Sequence, residues 1–181
     1  MNRRNLTTPA LACLFLLGCG AKYGIPVQLG WSSDQVRNVL GAPESRNPIP
    51  GQPDDAVESY SSSGIIARYS RDRLSFITFQ PDGGNTGFLP YTGAIINDVR
   101  ITDNKATVLR KLGTPTKIER DELPSGVNPD VPTVWPKADI YYWRLPNFTV
   151  VAIFLNQAQS VSDEKHIVWA KDTLTLLTVQ K

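Results

Sequence analysis

Apolar positions along the chain change their period several times, and each change predicts an element. Val36 and Leu40 lie four apart, as do Val108 and Leu112, so each pair shares one face of a short helix. Ser32 and Asn104 are N-cap residue types just before these pairs, and Ser32 with Gln35 fits a capping box. Gly41 and Gly113 suit a left-handed C′ position, and Pro43 and Pro115 prevent the helices from resuming. Strand composition with partial alternation follows at 65–70 and 74–79, joined by the polar turn Arg71-Asp72-Arg73. It returns at 140–144 and 149–155 around Pro146-Asn147, and again at 166–170 and 174–179, where Lys171-Asp172 suggests a closing hairpin. Tyr141, Tyr142 and Trp143 are consecutive, so either Tyr142 or the Tyr141/Trp143 pair must face away from the core.

The pattern repeats. Val27, Leu29, Val36 and Leu40-Gly41-x-Pro43 match Val99, Ile101, Val108 and Leu112-Gly113-x-Pro115 at one constant offset of 72 positions. An ungapped correspondence of this kind argues for internal duplication. The expected fold is α+β, as two tandem repeats, each a short helical start packed on an antiparallel β-sheet. The first repeat would span 27–90. The second would span 91–181 and end in the C-terminal hairpin.

The N-terminal region has a different grammar. Arg3 and Arg4 precede an apolar run at 10–17, then Gly18 and Cys19. A basic end, a short apolar core and a small residue before the cut describe a secretory signal peptide over 1–18. The run is too short to span a bilayer, which takes ~20 apolar residues. Leu16-Leu17-Gly18-Cys19 resembles the lipobox of bacterial lipoproteins. That resemblance implies a diacylglycerol on the Cys19 thiol, cleavage before Cys19 and acylation of the new amino group. Residues 19–26 would then be a lipidated tether. Gly20, in place of an Asp that favours inner-membrane retention, implies the periplasmic face of the outer membrane, with inner-membrane retention as the alternative.

This reading changes the charge and thiol arithmetic. Without Arg3 and Arg4, 17 basic residues meet 17 acidic ones, so the mature chain is formally neutral. A neutral chain without a Lys/Arg cluster lacks the electrostatic footprint of a nucleic-acid binder. Cys13 would leave with the signal and Cys19 would carry lipid, so no thiol remains for a disulfide, a nucleophile or zinc.

The segment Leu29-Gly30-x-Ser32-x-x-x-Val36-x-x-x-Leu40-Gly41-x-Pro43 resembles the opening of the SmpA/OmlA (BamE-like) lipoprotein domain. The resemblance implies a helical start followed by a small antiparallel sheet, and a place among outer-membrane lipoproteins that include a β-barrel assembly factor. The secreted β-lactamase inhibitor proteins are similar in architecture and carry such a unit twice. The doubled unit departs from the single-unit assembly factor.

Catalytic constellations are missing. His166 is the one histidine and has no evident nucleophile or metal partner in the sequence. Asp54-Asp55, Asp82 and Asp121-Glu122 match no calcium-loop spacing, and no Gly-x-Ser-x-Gly elbow or phosphate loop occurs. The expectation is a non-enzyme without cofactor or metal. A binding surface fits better. Pro-rich stretches at 44–56 and 116–137 read as long loops, and such loops are usually functional or disordered. The second carries Trp135 between Val134 and Pro136, and prolines lower the entropy cost of presenting such an anchor. Trp135, Val134, Asp130 and Tyr142 are the candidate partner-binding residues, with Cys19 the lipidation site. Two functions follow: an inhibitor or immunity-type lipoprotein against a hydrolase, or an assembly accessory of the outer membrane. Both expect a membrane contact through the lipid, a protein partner and no nucleic acid.

Overall fold

The computed structural model describes residues 24–81, 88–122, 138–156, 159–161, 167–169, 171–172 and 174–181. Two helices of eight residues form where the sequence places them, α1 over Ser33–Leu40 and α2 over Lys105–Leu112. Ser32 Oγ accepts from Gln35 N at 3.3 Å while Gln35 Oε1 accepts from Ser32 N at 2.9 Å, which closes the capping box. Asn104 Oδ1 accepts from Thr107 N at 2.9 Å. Gly41 and Gly113 end the helices at φ 88° and 77°, but with ψ −169° and −159°. That is an extended conformation reserved for glycine rather than the expected left-handed helical one.

Among the described residues there are ten strands, four between the helices and six after α2: β1 Ser45–Ile49, β2 Gln52–Tyr60, β3 Ile65–Ser70, β4 Arg73–Phe79, β5 Lys117–Glu122, β6 Ala138–Arg144, β7 Thr149–Leu155, β8 Gln159–Val161, β9 Ile167–Trp169 and β10 Leu174–Gln180. Eight of them make one antiparallel sheet in the order β1-β2-β3-β4-β10-β7-β6-β5, and β8 pairs separately with β9.

This topology corrects the expected fold class. The chain is not two tandem helix-on-sheet repeats. β4 pairs directly with β10, so the strands of both halves join into a single sheet with one shared core. The 72-residue correspondence survives in the two helices and their Gly-x-Pro stops, while the sheet crosses the expected boundary at residue 90. The expected C-terminal hairpin is also corrected. β9 pairs with β8, and β10 lies in the middle of the sheet between β4 and β7. The first Pro-rich stretch is no loop either, because β1 and the start of β2 occupy it. Pro50-Gly51 makes the turn, with Gly51 at φ 75°, and Pro48 is tolerated because β1 is an edge strand.

Both described helices and the 95–101 segment pack on one face of the sheet. Val36 of α1 and Val108 of α2 are fully buried there, beside Ile95, Ile96, Val99 and Ile101 from the segment that links β4 to α2. The strands contribute Tyr60, Ala67, Ile77, Val179, Val150 and Trp143 to the same cluster. Each helix is also clamped by charge. Glu58 of β2 is completely buried and accepts from Arg37 of α1, from Arg46 Nη1 at 2.6 Å and from the Tyr60 hydroxyl at 2.7 Å. Lys105 of α2 pairs with Asp172 and lies 4.0 Å from the buried Asp139 of β6.

Burial pushes the Glu58 carboxyl up, but the hydrogen bonds from Arg37, Tyr60 and Arg46 outweigh it and hold the group below its ordinary 4.5. Burial and the bond to Glu58 push the Tyr60 hydroxyl up to about 12. A carboxylate depressed in the folded state stabilises above its unfolded pKa, and that contribution fades as pH falls through the folded one. Glu58→Gln should therefore cost about 3 kcal/mol at neutral pH, the low end for breaking a buried pair, because both arginines keep contact with water. The same variant should lose less further stability than the parent below pH 4.5. Urea unfolding at neutral and acid pH measures both effects.

Candidate functional site

The opposite face of the sheet carries side chains that the core does not use. Strand register defines it. Ser59 faces Ile66, Ile66 faces Thr78, Thr78 faces Thr178, Thr178 faces Val151, Val151 faces Tyr142 and Tyr142 faces Lys117. A second row runs Val57, Arg68, Phe76, Gln180, Thr149 and Arg144. None of these residues belongs to the core cluster. Alternation along each strand places them there, since successive side chains point to opposite faces.

The face has a graded character. Its middle is dry: Thr78 and Thr178 are 3% and 2% exposed and their hydroxyls lie 3.1 Å apart. Val57, Ile66, Phe76, Ile153 and Tyr142 around them are half-buried. Charges stand toward the ends of the rows. Arg68 pairs with Asp55 at 3.6 Å and donates to Gln52 Oε1 at 3.2 Å. On the β5 side, Tyr142 donates to Glu119 Oε2 at 2.6 Å, Lys117 pairs with Glu119, and the Lys117 ammonium lies 5.4 Å from the Tyr142 ring centroid. Hydrogen bonds from Lys117 and Tyr142 hold the Glu119 carboxyl below its ordinary value. The middle of the rows mixes hydroxyl and amide side chains (Thr78, Thr178, Gln180, Thr149) with Phe76 and Val151, charges stand toward the ends, and such a mixed surface has a composition that a protein partner can use.

Tyr142 is therefore the member of its aromatic triplet that faces away from the core. Tyr141 and Trp143 are buried, stacked at 6.0 Å on the helix side, and the Trp143 indole donates to Gly113 O at 3.0 Å. Trp135, Val134, Asp130, His166 and Cys19 lie outside the described residues, so of the expected partner-binding residues Tyr142 alone is placed. Ile66, Arg68 and Phe76 were not singled out from sequence. Their signal was present in the alternation of 65–70 and 74–79, which puts them on the face opposite Ile65, Ala67 and Ile77. Among the described residues, no three His, Cys, Asp or Glu side chains gather as a metal site would require. The chain matches no family model, and no characterised protein or solved structure matches it.

The two faces should respond differently to truncation. Ile77→Ala and Phe79→Ala, fully packed on the helix side, should each cost roughly 2–5 kcal/mol. Ile66→Ala and Phe76→Ala should cost about 1 kcal/mol each and leave cooperative unfolding intact. Denaturant midpoints of the four variants check the assignment. Equal losses on both faces would mean that the second face is also core.

Proposed function

We propose that this chain is a non-catalytic, periplasm-facing lipoprotein that binds a protein partner through the face of its sheet opposite the two described helices. We read it as an inhibitor or immunity-type protein directed at a hydrolase. The observation that carries the reading is the division of labour within one sheet: the core cluster, both described helices and the linking segment occupy one face, while the other has buried side chains such as Ile140, Val151 and Leu155 beside the half-buried Ile66, Phe76 and Tyr142, with charges toward its ends. A continuous eight-stranded sheet is also a preorganised surface, so little ordering entropy is lost when a partner docks. That property suits stoichiometric blocking of an enzyme. The lipobox at Leu16-Leu17-Gly18-Cys19 supports anchoring at the periplasmic face of the outer membrane.

The test is capture of the tagged lipoprotein after mild detergent extraction, with identification of what comes down. An inhibitor should recover one soluble enzyme at equal stoichiometry and abolish its activity when the purified pair is mixed. Recovery of integral outer-membrane proteins instead would favour an assembly scaffold and sink the inhibitor reading. The double variant Ile66→Ala/Phe76→Ala should weaken capture at least tenfold while remaining folded, which corresponds to ~1.4 kcal/mol of lost binding. Undiminished capture by that folded variant would remove the face from the mechanism. Cys19→Ala should abolish lipid labelling and release the protein from membranes.

A further inference from the structure

At one end of the fold an open groove of about 490 Å³ lies between the last turn of α1 and the segment 89–92. Its apolar walls include Pro26, Leu40, Leu89 and Tyr91, with Ser62 and Thr92 at the rim. Val39, next to Leu40, is 52% exposed and Leu89 is 58% exposed. Only three large apolar side chains are exposed among the described residues, and these are two of them.

Leu89 is not a loose loop residue. Its N–H donates to Ser61 O at 2.9 Å, and the Tyr91 N–H donates to Gln80 O at 3.0 Å. The Tyr91 ring packs on Phe79 with centroids 4.7 Å apart. Gly64, at φ 66°, lies so close beneath that a Cβ there would meet Leu89 O at 2.5 Å. The backbone is fixed, and it holds an isolated leucine out into the surroundings. The rim is polar as well as apolar, and Arg100, ion-paired with Asp98 at 3.7 Å, donates to Thr92 O at 3.2 Å beside it.

The position of this end relative to the tether says what it meets. Pro26 is itself a groove wall, and Gly24 is held against Ala94, where a Cβ would meet the carbonyl oxygen at 2.7 Å. From Gly24 back to Cys19 there are five residue steps, which span at most about 18 Å at ~3.3–3.6 Å each. A lipid on Cys19 therefore keeps the groove end close to the bilayer at all times, and such tethering makes even weak contacts count by raising the effective concentration.

From this placement we infer that the groove end is a membrane-contact surface. Leu89, Val39 and the groove walls seat at the boundary between phospholipid headgroups and acyl chains, with Arg100 and the rim hydroxyls among the headgroups. Exposed apolar side chains on a fixed backbone, rimmed by polar groups, are what an interfacial contact needs. No helix among the described residues is long and apolar enough to cross a membrane. The inference rests on the reading of Cys19 as lipidated.

The test uses the full lipidated protein. Removal of the signal takes Cys13 and acylation blocks the Cys19 thiol, so one introduced cysteine can be labelled selectively. Leu89→Cys and, at the far end of β3, Ser70→Cys are each coupled to an environment-sensitive nitrobenzoxadiazole dye. The proteins are reconstituted into vesicles of phosphatidylethanolamine with a minor share of phosphatidylglycerol, and lipidation of Cys19 is confirmed by mass spectrometry. The Leu89 probe should shift blue on reconstitution and be quenched by lipid carrying a doxyl group near the headgroup. The Ser70 probe should do neither. An unresponsive Leu89 probe on confirmed lipoprotein overturns the inference and leaves the proposed protein-binding function standing. Equal responses at both positions overturn it too, as would a Leu89 probe already blue in detergent-free solution, since the groove would then hold the protein's own acyl chain. An unacylated Cys19 removes both the inference and the lipoprotein reading.

Discussion

Everything in this fold depends on the pairing of β4 with β10. Thr78 and Thr178 are 100 positions apart, yet they sit opposite one another at the middle of the sheet with hydroxyls 3.1 Å apart. Closing a contact over so long a chain is entropically expensive, and the cost must be met by the interactions it completes. Those interactions are extensive. The pairing turns two four-stranded halves into one eight-stranded sheet, and it brings Phe79, Ile77, Leu177 and Val179 into the same core. Without it each half would expose a long inner edge and half of an apolar face, which is an aggregation hazard.

The seam also explains why charge is spent on the helices. An eight-residue helix has little stability of its own in water and must be held by tertiary contact. Val36 with Leu40, and Val108 with Leu109 and Leu112, supply apolar anchoring, but apolar contact is non-directional. Arg37 on Glu58, and Lys105 on Asp172 beside Asp139, add directional contacts at both ends of the sheet. A buried ion pair is a poor source of net stability, but its geometry is demanding. The reading most consistent with Glu58, fully buried and satisfied by three donors, is that it sets the orientation of α1.

What the sequence showed depended on whether the determinant was local. Ser32, Gln35 and Asn104 announced the helix starts because caps act within three residues. The turn at Arg71-Asp72 was legible, although both residues adopt positive φ, which strand composition alone would not reveal. The misreadings have physical causes. Prolines at 48, 50 and 53 suggested a loop, whereas Pro48 lies on an edge strand and Pro50-Gly51 forms a tight turn, so the Pro-Gly pair was the stronger signal. Lys171-Asp172 suggested a local hairpin because nothing near β10 in sequence points to β4. The candidate face was half legible: the aromatic triplet forced a choice, and only the register of β6 against β5 and β7 decided that Tyr142 faces outward.

The fold separates its surfaces by direction, and this bears on how both could work together. β3 runs from the groove end at Ile65 to the turn at Arg71, and α1 runs back from beside Arg73, where Ser32 bridges to the start of β4, to Leu40 at the groove. If the groove end rests on the bilayer, these strands rise away from it by about 3.3 Å per residue. The face opposite the helices then stands beside the anchor rather than beneath it: Phe76, level with Arg68, is the part a soluble partner could reach without displacing lipid, while Ile66, next to the groove-lining Ile65, stands nearest the bilayer. A fold that put its apolar groove on the same face as the binding rows would force membrane and partner to compete. Here the groove, walled by Leu40, Ile65 and Tyr91, belongs to the helix side of the sheet and the rows to the other, and that division is fixed by the same sheet that the β4–β10 seam completes.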